Sequence, residues 1–261
     1  MAAIETVLGQ ARAKGRSALV TYVTAGSRAD WLDLLTVMID AGADAVEIGL
    51  PFSDPMLDGP VIQQASSTAI SRGTTIPGIL AQLREVSGLG TPLIAMGYAH
   101  HAYTRGLRRY CHELADCGVS GTIIPDLPVS EADEYLAEAR DAGLDAILMV
   151  TPATPDQQMQ VIAERSRGFL YVMSVMNTTG RTYERDDDAR WTVAARSRKH
   201  SARPVIIGFG IDTPERAAAA VTYADGVIVA SALMRRVMDG APSTEVGRCV
   251  REIRAAIDNA Q

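Results

Sequence analysis

Cysteine is scarce in this sequence, with only Cys111, Cys117 and Cys249 among 261 residues. None forms a CxxC pair, and none groups with the four histidines at a spacing typical of a metal site. On one helix, Cys111 and Cys117 would lie almost two turns apart, which is too far for an easy disulfide. The pattern favours reduced thiols and predicts no metal centre.

Long apolar runs and clustered basic residues are also missing. No apolar run approaches the roughly 20 residues that cross a bilayer. Residues 1–15 alternate apolar and charged side chains as an amphipathic helix does, unlike a signal peptide. The net charge is −6, and the basic runs at 108–109 and 196–200 are short. Because nucleic-acid affinity depends on clustered Lys and Arg, we expect a cytoplasmic protein with neither a nucleic-acid nor a membrane partner.

Eight short apolar runs separated by helical patterns dominate the remaining sequence, in which 47% of the residues are hydrophobic. The predicted buried strands span residues 18–23, 45–49, 93–97, 121–124, 145–150, 169–174, 204–208 and 226–230. Helical patterns lie between them at 30–41, 79–86, 107–117, 130–142, 155–165 and 214–222. One barrel-type domain of about 250 residues would account for the whole length.

One phrase recurs at the entry to three strands: AGADAVEIG, CGVSGTIIP and AGLDAILMV. Its glycine (Gly42, Gly118 or Gly143) stands where a residue just past a helix takes a left-handed conformation. Repeated units of helix, glycine and strand predict parallel strands with right-handed crossovers, in a barrel or an open doubly wound sheet. No GxGxxG follows the first strand, which weakens a dinucleotide-binding interpretation.

The most informative stretch of the sequence, residues 43–63, contains two candidate catalytic carboxylates, Glu47 and Asp58. Glu47 stands at the end of an apolar strand, where desolvation raises a carboxyl pKa and suits it to acid–base work near neutrality. Asp58 lies on a Pro-rich loop that could approach the same space. The alternative is that Glu47 pairs with a basic group and that Asp54 and Asp58 are ordinary turn residues.

In a barrel, chemistry collects at the carboxyl ends of the strands. Aromatic and apolar residues at the ends of the first four strands suggest a slot for a flat heteroaromatic ring beside Glu47. The later strands are followed by SVMNTTG, GFG and AS, whose glycines and helix start suit a phosphate. These glycines could instead only make tight turns.

EIGLPFSDPMLDGPVIQ closely resembles the signature of the tryptophan synthase alpha subunit family, and the resemblance extends over nearly the whole chain. It implies one (β/α)₈ TIM barrel over residues 1–261, with an extra N-terminal helix. It also implies cofactor-free cleavage of indole-3-glycerol phosphate to indole and glyceraldehyde 3-phosphate, with Glu47 and Asp58 catalytic. The residues implied on the indole side are Tyr22, Met96, Tyr98, Ile123 and Tyr171. Those implied on the phosphate side are Thr179, Gly180, Phe209, Gly210, Ala230 and Ser231.

The resemblance further implies an alpha2beta2 complex with a beta subunit that receives indole. Several residues depart from the family's pattern. Ala230 replaces a usual glycine, Leu57 a usual alanine, and His100–His101 an asparagine and an apolar residue or proline at the partner surface. The loop after the sixth strand keeps only its closing Thr-Gly. His100–His101 and Leu57 favour a changed partner surface, or neutral drift at a contact rim. Ala230 adds a methyl group beside the expected phosphate, and the changed loop bears on how the substrate is covered.

Three other functions remain open. A stand-alone lyase would release free indole for another pathway, and a non-catalytic module would only activate a beta subunit. A phosphosugar isomerase on the same barrel would not explain the match over residues 47–63. An imine-forming aldolase is disfavoured because no lysine lies at a predicted strand end, and Lys199 belongs to a polar helix.

Overall fold

A closed barrel of eight parallel strands, each bonded to its neighbour in chain order and the first to the last, forms the centre of the computed structural model. The structure describes residues 4–86, 88–173, 187–208 and 210–260, with backbone only for 187–190. The strands are β1 (Ala18–Thr24), β2 (Ala45–Gly49), β3 (Leu93–Met96), β4 (Val119–Ile123), β5 (Asp145–Val150), β6 (Leu170–Met173), β7 (Val205–Gly208) and β8 (Gly226–Val229).

Helices cover the outside of the barrel and carry the chain from each strand to the next. They are α1 (Ile4–Ala13), α2 (Trp31–Asp40), α3 (Pro60–Ser71), α4 (Ile76–Glu85), α5 (Ala99–Arg105), α6 (Leu107–Asp116), α7 (Asp133–Asp141), α8 (Asp156–Arg165), α9 (Asp187–His200), α10 (Pro214–Ala220), α11 (Ser231–Met238) and α12 (Ser243–Asp258). In the described part of the chain, no helix is both long and apolar enough to cross a membrane. The arrangement is the predicted (β/α)₈ barrel.

The strands are buried on both faces, which explains their continuous apolar runs. Every second residue points into the barrel, where alternating positions of β1 to β8 form an interior cluster. Helix α1 closes the amino-terminal end of the barrel through Ile4 and Leu8, which belong to that cluster. Gly121 makes room for this plug, because a Cβ there would lie 2.4 Å from Ile4 Cδ1.

The left-handed glycines are where the repeated phrase predicts them: Gly42, Gly118 and Gly143 have φ values of 105°, 85° and 75°. One local prediction needs correction. The pattern at 130–142 divides into a short 3₁₀ turn, Val129–Glu131, and α7. Pro60 begins α3, because a proline needs no hydrogen-bond partner for its nitrogen in the first helical turn.

Candidate active site

Glu47 lies in the middle of β2 and not, as the sequence had indicated, at its end. Its side chain points toward the barrel interior, since it shares the face of the interior residue Ala45. It pairs in register with Tyr22 of β1 and Ile94 of β3 and is only 1% exposed. Burial, and secondarily the charge of Asp58, raise the pKa of Glu47 to about 8. Within the described residues, Glu47 Oε2 has no hydrogen-bond partner. The carboxyl is therefore available to a bound molecule.

Asp58 stands on the loop between β2 and α3, just before Gly59, the N-cap residue of that helix. Its Oδ2 accepts a hydrogen bond of 3.1 Å from the Tyr98 hydroxyl, and the same hydroxyl accepts one of 3.1 Å from the backbone N–H of Leu57. Burial raises the pKa of Asp58 to about 6, while the Tyr98 bond acts in the opposite direction. The electrostatic interaction between Asp58 and Glu47 indicates that they face a common space.

Two tyrosines border this space and fit against glycines of neighbouring strands. A Cβ at Gly49 would lie 1.8 Å from Tyr22 Oη, and one at Gly208 would lie 2.3 Å from Tyr171 Oη. Burial raises the pKa of both tyrosines, and the charges of the two acids add to the effect. The Thr24 hydroxyl, which the sequence did not single out, donates to Tyr22 Oη at 3.3 Å.

The remaining residues expected on the indole side lie on adjoining strands. Met96 of β3 pairs in register with Ile123 of β4, and both point into the barrel. Tyr98 follows β3 and is 5% exposed, but its hydroxyl is held by Asp58 and Leu57. The structure thus gives Tyr98 a contact with the loop between β2 and α3 that its position in the sequence did not predict.

Three of the residues expected to hold phosphate lie past the ends of β7 and β8. Gly210 has a φ of +77°, which an L side chain would strain. Ala230 precedes α11, and Ser231 is the exposed first residue of that helix. The first N–H groups of a helix have no partner within it and attract anions. Thr179, Gly180 and Phe209 lie outside the described residues.

Comparison with known proteins settles the family. A family model described as "Tryptophan synthase alpha chain" matches residues 8–259. The chain belongs to the tryptophan synthase alpha chain family. This family cleaves indole-3-glycerol phosphate to indole and glyceraldehyde 3-phosphate, a reaction of tryptophan biosynthesis.

Individual members of the tryptophan synthase alpha chain family match this chain over nearly their full length. Identity is 38% to the Prochlorococcus marinus protein, covering 98% of this chain and 95% of that one. Identity to the Phenylobacterium zucineum protein is 42%, and the match covers 94% of this chain and 89% of that one. A solved Mycobacterium tuberculosis tryptophan synthase superposes with a TM-score of 0.89 at 31% identity, covering 98% and 99%. The solved Legionella pneumophila alpha subunit superposes with a TM-score of 0.88 at 30% identity, and the match covers 99% of each chain.

The two neighbouring histidines that depart from the family's pattern have different surroundings. His100 is exposed on α5, as expected at a contact rim. His101 is only 7% exposed, and its imidazole turns inward. The expectation that both belong to a partner surface therefore does not hold for His101, because a sequence cannot tell which side of a short helix faces the barrel.

A second polar cluster lies outside the barrel, where α6 meets α7. Ligand-type atoms of His112, Glu138 and Asp141 lie within 4.8 Å of one another. His112 Nε2 and Arg108 Nη2 are 3.2 and 3.6 Å from Asp141 Oδ2. A neighbouring surface groove of ≈540 Å³ contains neither Glu47 nor Asp58. We interpret the cluster as an ion pair between helices, because a guanidinium already neutralises Asp141.

Proposed function

We propose that Glu47 and Asp58 divide the acid–base work of this chain's carbon–carbon cleavage. The observation that carries this proposal is the difference between their surroundings. Glu47, with a pKa of about 8, keeps its proton at neutral pH, whereas Asp58, with a pKa of about 6, is largely ionised. Two carboxyls whose pKa values are separated in this way can act as acid and anion at one pH.

The reaction then proceeds without any other reagent. Glu47 gives its proton to the indole ring carbon that bears the glycerol phosphate chain, and the ring becomes a cation. The ionised Asp58 stabilises that cation through the ring N–H. Glu47, now a carboxylate, takes the proton of the side-chain hydroxyl. The carbonyl of glyceraldehyde 3-phosphate forms as the carbon–carbon bond breaks, and the bonding electrons return to the ring to give indole.

The substrate would lie across the carboxyl end of the barrel. The indole ring fits between the aromatic and apolar side chains of the first strands and β6, namely Tyr22, Met96, Tyr98, Ile123 and Tyr171. The phosphate fits the opposite side, at Gly210, Ala230 and Ser231; the family resemblance adds Thr179, Gly180 and Phe209 to this set. The helix start at Ser231 supports this orientation, because its N–H groups favour an anion.

Substitution of each acid tests these roles. We expect Glu47→Gln and Asp58→Asn each to lower kcat by about 10²–10⁴, as loss of a general acid or base typically does. Glu85→Gln, an exposed glutamate at the end of α4, is the matched control and should keep full activity. Near-normal cleavage by either active-site variant would show that its assignment is wrong.

We also propose that the chain works with a beta subunit. Its catalytic loop exposes Met56 by 81% and Leu57 by 40%, and Tyr103 on the adjacent α5 is 49% exposed. Such apolar exposure beside the site supports docking of a protein partner. Indole release should therefore be weak for the chain alone and rise sharply when a beta subunit is added. Strong activity that the partner leaves unchanged would favour the stand-alone lyase.

A further inference from the structure

His101 lies in the first turn of α5, on the side that faces the loop between β2 and α3. Its Nε2 is 3.2 Å from the carbonyl oxygen of Pro51, where that loop begins. A carbonyl oxygen can only accept a hydrogen bond, so Nε2 carries the proton. Burial lowers the pKa of His101, which keeps the imidazole neutral at physiological pH.

The same helix start holds the loop at both of its ends. The ring of Phe52, which follows Pro51, stacks on Tyr98 at 4.9 Å and meets the His101 ring edge-on at 5.2 Å. Tyr98 in turn donates to Asp58 at 3.1 Å. His101 thus fixes the Pro51 carbonyl near the start of the loop, and Tyr98 fixes the Asp58 carboxylate near its end.

The imidazole has this position only because the neighbouring backbone leaves room for it. A Cβ at Gly97 would lie 3.1 Å from His101 Nδ1 and 3.0 Å from Leu50 Cδ1. Those distances are tighter than ordinary van der Waals contact, so an alanine at 97 would press on the ring. Gly97 therefore leaves the space in which the His101 imidazole can reach the Pro51 carbonyl of the loop.

We propose that His101 is a positioning residue for the lyase reaction. Its hydrogen bond to Pro51 restrains the start of the loop, and the restraint keeps Asp58 directed at the space it shares with Glu47. This inference rests on the proposed function of Asp58. His101 itself does not contact the reacting atoms in this scheme, so its effect must pass through Asp58.

Three single variants separate the hydrogen bond from simple packing. His101→Leu removes the donor and keeps an apolar side chain, and we expect kcat to fall about tenfold, as for one lost buried hydrogen bond. His101→Gln carries an amide N–H at the same distance along the side chain and should restore most of the activity. Glu85→Gln, at an exposed position at the end of α4, is the control for an altered surface. All activities are measured well below the lowest Tm of the set.

A double-mutant cycle with Asp58→Asn then tests the route of the effect. If His101 acts through Asp58, then His101→Leu lowers kcat in the native background but causes no further loss in the Asp58→Asn background. Equal loss in both backgrounds, or native kcat in folded His101→Leu, overturns the inference alone. Near-normal activity of Asp58→Asn by itself would instead refute the proposed role of Asp58.

Discussion

Replacement of Glu47 by glutamine should stabilise the protein while it removes activity. Burial raises the pKa of Glu47 from an ordinary value of 4.5 to about 8, so the folded protein binds this proton more tightly than the unfolded chain does. The native protein therefore loses stability as the pH rises from 4.5 toward 8. Glutamine has no charge to desolvate, so the variant avoids this loss.

The size of the effect follows from the same two pKa values. One tenfold difference in proton affinity corresponds to about 1.4 kcal/mol. A carboxyl that shifts from 4.5 to about 8 therefore costs about 3 kcal/mol of stability at pH 7. The cost is close to zero below pH 4.5 and levels off near about 5 kcal/mol above pH 8. This is a large fraction of the stability of an ordinary domain.

Urea unfolding at pH 5, 7 and 9 measures this prediction. The stability difference between Glu47→Gln and the native protein should grow with pH, because the substitution removes both the desolvated charge of Glu47 and its repulsion by Asp58. Glu85→Gln, at an exposed glutamate, is measured alongside as the matched control. If the difference in unfolding free energy between Glu47→Gln and the native protein did not change with pH, the pKa of Glu47 would not be raised by burial. The physical basis of its role as an acid would then be refuted.

Two further predictions concern the catalytic loop and the outer helices. Tyr98→Phe removes the hydroxyl that lowers the pKa of Asp58, so the acid limb of the kcat/KM profile should move to higher pH, and an unmoved limb would contradict this. Arg254→Met removes bonds of 3.2 Å to Asp44 Oδ2 and 2.9 Å to the Ser17 carbonyl. It should cost about 2 kcal/mol in urea unfolding, because Arg16 still neutralises Asp44, and it should leave kcat unchanged. A loss of stability below measurement error would show that the Arg254 hydrogen bonds do not stabilise the protein.

The strands could be predicted closely because central strands of a barrel are buried on both faces. Seven of the eight predicted runs, all except that at 121–124, begin within one residue of the observed strand. The helix ends at Gly42, Gly118 and Gly143 were equally predictable, since a left-handed residue after a helix strongly favours glycine. Short segments were less predictable, because a single turn such as that before α7 carries too few residues for a clear period.

In the candidate site, the two acids could be predicted from the sequence, but the contacts that position them could not. Glu47 and Asp58 stood out from residue type and position, since an acid within or just beyond an apolar strand implies desolvation once the chain folds into a barrel. The bond from Tyr98 to Asp58 joins residues 40 apart in the sequence, and that from His101 to Pro51 joins residues 50 apart. No local pattern encodes such pairs, because they depend on how β2 and β3 bring their following loops together.

The sequence by itself determined the family, the alternation of strands and helices, and the two acids, because each follows from local composition or from a long gapless motif. Only the tertiary structure decided that Glu47 and Asp58 have separate pKa values of about 8 and 6. It alone also decided that His101 faces inward while His100 faces solvent. Desolvation and hydrogen-bond geometry arise from the packing of distant segments, and this packing exists only once the barrel has closed.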